Sequence, residues 1–148
     1  MAISVIQSKT GVLSAEDTSA VITFDSNVSA GSTLVLVGVS VDSASSLSTL
    51  LSSVSDTQTN EWIGVTNARA SNEYAPNAFA AYTINASAGS TTITAALNDG
   101  SANAISWAAF EIGGVPTSGS IDVVVTGTAS GTTETSTTAT GTLDQAAN

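Results

Sequence analysis

The amino-acid sequence predicts an all-β protein, a single-domain antiparallel β-sandwich of about eight to ten strands. Three observations carry this. Runs rich in Val, Ile, Thr and aromatic residues recur along the chain, the types that fit a pleated, half-buried surface. Clusters of Gly, Ser, Asn and Asp separate these runs at short intervals, with no alternation of strand and helix patterns. The length of 148 residues suits one core rather than two.

The expected strands follow in order. Ile3–Gln7 and Ala20–Asp25 are short apolar runs. Thr33–Val41 is the clearest: Leu34 and Leu36 share one face, and Val35, Val37, Val39 and Val41 share the other. It reads as a central strand, covered on both faces at its start and on one at its end. Leu50–Ser55 is next, with Leu47, Leu50, Leu51 and Val54 at a spacing that also permits one helical turn before it. Glu61–Ala68, Ala78–Asn85 and Thr91–Leu97 lead to Ala104–Ile112, where Ile105, Trp107 and Ala109 lie on one face and Phe110 and Ile112 on the other. Asn98-Asp-Gly-Ser101 is a tight-turn sequence. Ile121–Thr128 closes a sandwich core assigned to residues 1–128, and Thr133–Leu143 lies in a polar tail assigned to 129–148. That tail alternates Thr133, Thr135 and Thr137 with Glu134, Ser136 and Thr138, a pattern expected of an edge strand or one that pairs on a neighbouring subunit. Ser136–Asn148 weakly echoes Ser19–Gly31, for which shared hairpin chemistry is a sufficient reason.

Composition removes several functions. There is no Cys and no His, so disulfides, Cys-ligated metals and Ser–His or Cys–His nucleophiles are excluded. Lys9 and Arg69 are the sole basic residues against 12 acidic ones, a net charge of −10, so no nucleic acid is expected as a partner. No apolar stretch reaches the roughly 20 residues that span a bilayer, so no membrane is expected either. The start, Met1–Lys9, lacks the basic and apolar regions of a signal peptide.

The succession Ser26–Ser40, Val54–Trp62, Ser87–Thr94 and Ala109–Val115 resembles a β-sandwich module, immunoglobulin-like or jelly-roll, of phage virion proteins and bacterial surface proteins. The likeness covers roughly residues 18–148. In size it is similar to a phage capsid decoration (cement) protein. The resemblance implies a virion structural protein on the capsid exterior, made in the host cytoplasm. It also implies the major capsid protein or another virion protein as partner, and a homo-oligomer, with a trimer favoured. The alternative from a different class is a carbohydrate- or surface-binding module of a secreted or tail-associated protein.

The residues offer little chemistry beyond this. Asp56-Thr-Gln-Thr-Asn-Glu61 spaces oxygen side chains as a calcium loop might, but without the glycine and distant Glu of an EF-hand; a hairpin loop capped by Asp56 and Asn60 is the simpler reading. Asn98-Asp99 and Glu16-Asp17 read as loop residues. Glu111 follows Trp107 and Ala109 on the face that reads as buried, where a carboxylate has to be paired or protonated; Arg69 is the strong partner the sequence offers, and exposure at an edge is the alternative. Trp62, Tyr74, Tyr82 and Trp107 are the candidate sugar platforms, with Trp107 expected in the core. The polar segment Asn67–Asn77 is the expected contact loop. With the tail it gives the candidate interface residues Trp62, Arg69, Glu73, Tyr74, Thr133, Thr135 and Thr137, Arg and Tyr being frequent anchors at interfaces. No catalytic residue, metal or cofactor is expected, and the chain is expected not to be an enzyme.

Overall fold

The computed structural model describes residues 2–14, 19–42, 51–69, 77–97 and 102–116. Eight strands run through them: β1 (Ser4–Ser14), β2 (Ser19–Thr23), β3 (Thr33–Asp42), β4 (Leu51–Asp56), β5 (Ile63–Arg69), β6 (Asn77–Thr83), β7 (Thr92–Leu97) and β8 (Ala102–Gly113). They form a five-stranded sheet, ordered β1-β8-β3-β6-β5, and a three-stranded sheet, ordered β2-β7-β4. All the ladders are antiparallel. The strands expected at 121–128 and 133–143, and the helical turn near Leu47, lie outside the described residues.

The pleat explains the core. Leu34 and Leu36 of β3, Phe79 and Ala81 of β6, and Ile105 and Ala109 of β8 point inward from the large sheet. Ala20 and Ile22 of β2, Leu51 of β4, and Ile93, Ala95 and Leu97 of β7 meet them from the small one. Alternate residues on each strand share a face, so one register fixes the whole inward set. Val37 and Val39 point outward and stay exposed, as the pattern of β3 predicts.

The described strands form a β-sandwich whose pairing can be set beside the two expected layouts. A long hairpin that pairs first strand with eighth, second with seventh and third with sixth rolls up into sheets ordered 1-8-3-6 and 2-7-4-5, the jelly roll. The observed pairs β1–β8, β2–β7 and β3–β6 follow this, as do β3–β8 and β4–β7. One strand departs from it: β5 extends the large sheet beside β6 rather than pairing with β4. An immunoglobulin-like sheet sets its first two strands side by side. Here β1 and β2 lie in different sheets. Among the described residues, each ladder joins one of β1–β5 to one of β6–β8.

The first strand is longer than the sequence suggests. Its ladder with β8 continues past Gln7 to Ser14↔Ala104, after an irregularity between Val5 and Gln7. Gly11 allows this, because the Trp107 ring lies across it: a Cβ at Gly11 would stand 2.3 Å from Trp107 Cζ2. Gly38 is covered in the same way by Phe79, where a Cβ would come within 2.3 Å of Cζ and 2.8 Å of the Ser106 carbonyl oxygen. An aromatic ring laid over a strand glycine fills the space that the missing side chain leaves. Gly38→Ala should therefore lower stability by about 1–3 kcal/mol through overpacking. Urea unfolding measures this, and an unchanged midpoint would mean the ring does not rest there.

Candidate functional site

The strand ends sort into two groups. Ser14, Asp42, Arg69 and Leu97 close strands at one end of the sandwich, and Thr23, Asp56, Thr83 and Gly113 close strands at the other. The second end is laced by hydrogen bonds between its loops. Val28 and Gly89 exchange backbone bonds in both directions, at 2.8 and 3.1 Å. Gly31 N–H donates to Ala86 O, and Ala86 N–H to Ser32 O. Thr57 Oγ1 donates to Ser90 O and accepts from Thr92 N–H. The three loops that follow β2, β4 and β6 thus form one floor.

Two carboxylates hold this floor. Asp56 Oδ1 accepts from the backbone N–H of Gln58 at 2.8 Å and of Asn60 at 3.2 Å. Its Oδ2 accepts from Asn60 Nδ2 at 3.0 Å and Trp62 Nε1 at 2.7 Å. Asn60 Oδ1 in turn accepts from Ser87 N–H at 2.8 Å. Thr59, between them, sits at φ = 56°, a left-handed conformation that β-branched residues rarely adopt. The loop is a capped hairpin connection, and both Asp56 oxygens are occupied by N–H donors. Among the described residues, no group of three His, Cys, Asp or Glu side chains could hold a metal. The melting temperature should then be the same with and without a strong chelator. A fall of many degrees would place a structural cation somewhere in the chain.

Glu111 corrects a sequence expectation. It is fully buried and has neither of its expected surroundings. Gln7 Nε2 donates to Oε2 at 2.6 Å, and Ser29 N–H donates to Oε1 at 2.8 Å. Gln7 also holds Ser26 at both backbone groups, donating to its carbonyl oxygen and accepting from its N–H. Arg69 is remote from this cluster. Its backbone pairs with Asn77, which pairs with Ser40, whereas Glu111 pairs with Leu34. Six residues along the strand amount to about 20 Å. Glu111 is not at an edge either, because β8 lies between β1 and β3. Gln7 and Ser29 are the partners that sequence reasoning missed. The available signal was Gln7 itself, a lone amide closing an apolar run.

The other candidates separate. Trp62 is half-buried, packs against the core and is tied to Asp56. Trp107 also packs against the core. Tyr82 pairs with Val35 and so points outward from the large sheet. These three aromatics do not form one platform. Arg69 ends β5 at the other end of the sandwich, away from these loops. Glu73, Tyr74, Thr133, Thr135 and Thr137 lie outside the described residues, as do Glu16, Asp17, Asn98 and Asp99. A groove of about 490 Å³ opens between Ile6, the 29–32 turn and the 113–116 segment, with no titratable or aromatic side chain in its lining.

The outer surfaces of the two sheets differ in chemistry. The small sheet presents Ser19, Thr23, Ser53, Ser55, Thr92 and Thr94, with Val21 the one large apolar side chain. The large sheet presents Val12, Val35, Val37, Val39, Ala80, Tyr82, Phe110 and Ile112, with the hydroxyls of Ser8, Thr10 and Ser106 among them. Val12 is 68% exposed, Val37 38% and Val39 39%.

No protein-family model matches this chain, and no curated protein or solved structure does either. No helix among the described residues is long and apolar enough to cross a membrane.

Proposed function

We propose that this chain is a non-enzymatic virion structural protein that decorates and stabilises a phage capsid lattice, working through its surfaces rather than through a catalytic centre. The observation that carries this is the use made of its two best-placed carboxylates. Asp56 and Glu111 both receive N–H donors from their own chain at short range and serve as structural posts. A catalytic carboxylate needs a lone pair or proton turned toward a substrate. The two-sheet sandwich, the hydrogen-bonded loops at one end and a charge-poor sheet face suit a body that reinforces an assembly. The resemblance of Ser26–Ser40 and the later segments to virion sandwich modules supplies the kind of assembly.

Incubating the purified protein with expanded, undecorated capsids tests the proposal. Saturable binding that raises the capsid's resistance to heat or denaturant is expected. Absence of binding, together with a specific hit on a glycan array, would transfer the protein to the carbohydrate-binding class.

A further inference from the structure

We infer that the outer face of the five-stranded sheet is the contact by which this chain pairs with a second copy of itself, the two faces packed across a two-fold axis. The inference is independent of the capsid reading; it concerns how the body assembles before it binds anything else.

The face is unusual in what it leaves in water. Soluble chains rarely expose a contiguous apolar patch beyond a few hundred Å² without a partner for it. Here Val12, Val37 and Val39 are exposed on one sheet, while the opposite sheet is coated with hydroxyls. Burial would bring Val37 and Val39 the cover that Leu34 and Leu36 already have on the other side of the same strand.

Charge selects the occupant. The chain carries −10, so two copies can approach closely only through a region free of acids. Among the described side chains, no outward residue of the large sheet is charged. A face built for a basic partner would present carboxylates; this one presents Val and Ala with a few uncharged hydroxyls, Ser8, Thr10 and Ser106. Its best complement is an equally neutral apolar sheet, and a second copy supplies one.

Shape agrees. Val37 and Val39 form a ridge along β3, and the paired positions beside them are small: Ala80 and Ala78 on β6, Ala108 and Ser106 on β8. The surface therefore dips on both sides of the ridge. Two identical ridged sheets can interlock at the shallow angle at which twisted sheets pack. A two-fold arrangement sets the same patch on both partners. Five strands of about seven residues make a face on the order of 24 by 23 Å, or roughly 550 Å² in projection and more in accessible area. That approaches the ~800 Å² per partner of a standard stable interface. The pairing is two-fold, in place of the three-fold cluster that the resemblance implies.

Sedimentation of the full chain over a range of concentrations tests this, together with Val39→Lys and single cysteines introduced into a chain that has none. The expected result is a dimer that Val39→Lys weakens at least tenfold, with a melting curve still cooperative because position 39 faces solvent in the single chain. Val39→Cys should form a disulfide-linked or reagent-bridged dimer under mild oxidation, and Ser55→Cys on the opposite sheet should not. A chain that stays monomeric at every concentration overturns the inference, as does equal cross-linking from both cysteines. If the chain is monomeric and Val39→Lys abolishes capsid binding, the face belongs to the lattice: the pairing is wrong and the proposed function stands. If it dimerises through Val39 yet binds no capsid, the pairing stands and the proposed function falls.

Discussion

Glu111→Ala should destabilise the protein by about 3–5 kcal/mol, because it removes a fully buried acceptor, orphans two N–H donors and leaves a cavity. Glu111→Gln should cost about 1–3 kcal/mol, since one amide oxygen can still accept from Ser29 while the new NH₂ meets the Gln7 NH₂. Gln7 cannot turn its amide to relieve this. Both of its ends are already committed to Ser26, and reversing them would set donor against donor and acceptor against acceptor. Urea unfolding gives both values. If alanine and glutamine cost the same few tenths, Glu111 is solvated and the buried clamp is wrong. A Gln7→Ala, Glu111→Gln double-mutant cycle should show strong coupling, because the two side chains touch.

Asp56→Ala should cost about 2–4 kcal/mol, the second largest effect expected. One side chain here satisfies the N–H of Gln58, the N–H and amide of Asn60, and the indole of Trp62. The two backbone donors can recover partly in water, whereas the Trp62 indole is half-buried against the core. Asp56→Asn should be nearly as harmful, because its NH₂ would face one of two donor pairs whichever way the amide is set. The loss should be accompanied by a red shift of Trp62 emission as the ring gains solvent. A stable variant with unshifted emission would show that Thr59 and Asn60 hold the loop unaided. Calcium that stabilises the unsubstituted chain but not Asp56→Ala would point instead to a cation role for Asp56.

How much of this was legible in the sequence depended on locality. The inward Leu34 and Leu36 and the outward Val37 and Val39 could be read from alternation alone, because the pleat is a property of the strand itself. The Asp56 cap was legible for the same reason, its partners lying within six residues. Glu111 was not. Its burial could be suspected from Trp107 and Ala109, but its partners lie 82 and 104 residues away, and only the pairing of β1 with β8 and the β2–β3 turn bring them together. The length of β1 was hidden by Lys9, Thr10 and Gly11, which read as a break until the ring of Trp107 fills the glycine's place. The difference between the two outer faces was present in the residues throughout, and became visible only once strand order had set Val12 on the same sheet as Val37 and Phe110.

The strand order also sets a timetable. Each ladder among the described residues needs β6, β7 or β8, so β1–β5 emerge from the ribosome before any of the partners they have in these ladders. The described ladders can begin to form only when Asn77–Thr83 emerges and inserts between β3 and β5, and the ladders of β1 wait for β8. Loops this long must close before any pairing repays them, which makes folding slow and late. Until then Leu34, Leu36 and the valines of β3 are open to misassociation with other nascent chains. The acid-free stretch 28–41 that carries Leu34, Leu36 and these valines has no charge of its own to hold other chains off during synthesis. Production at lower temperature, or with chaperones that hold the emerging half, should raise the yield of soluble chain more than any stabilising change in the finished core.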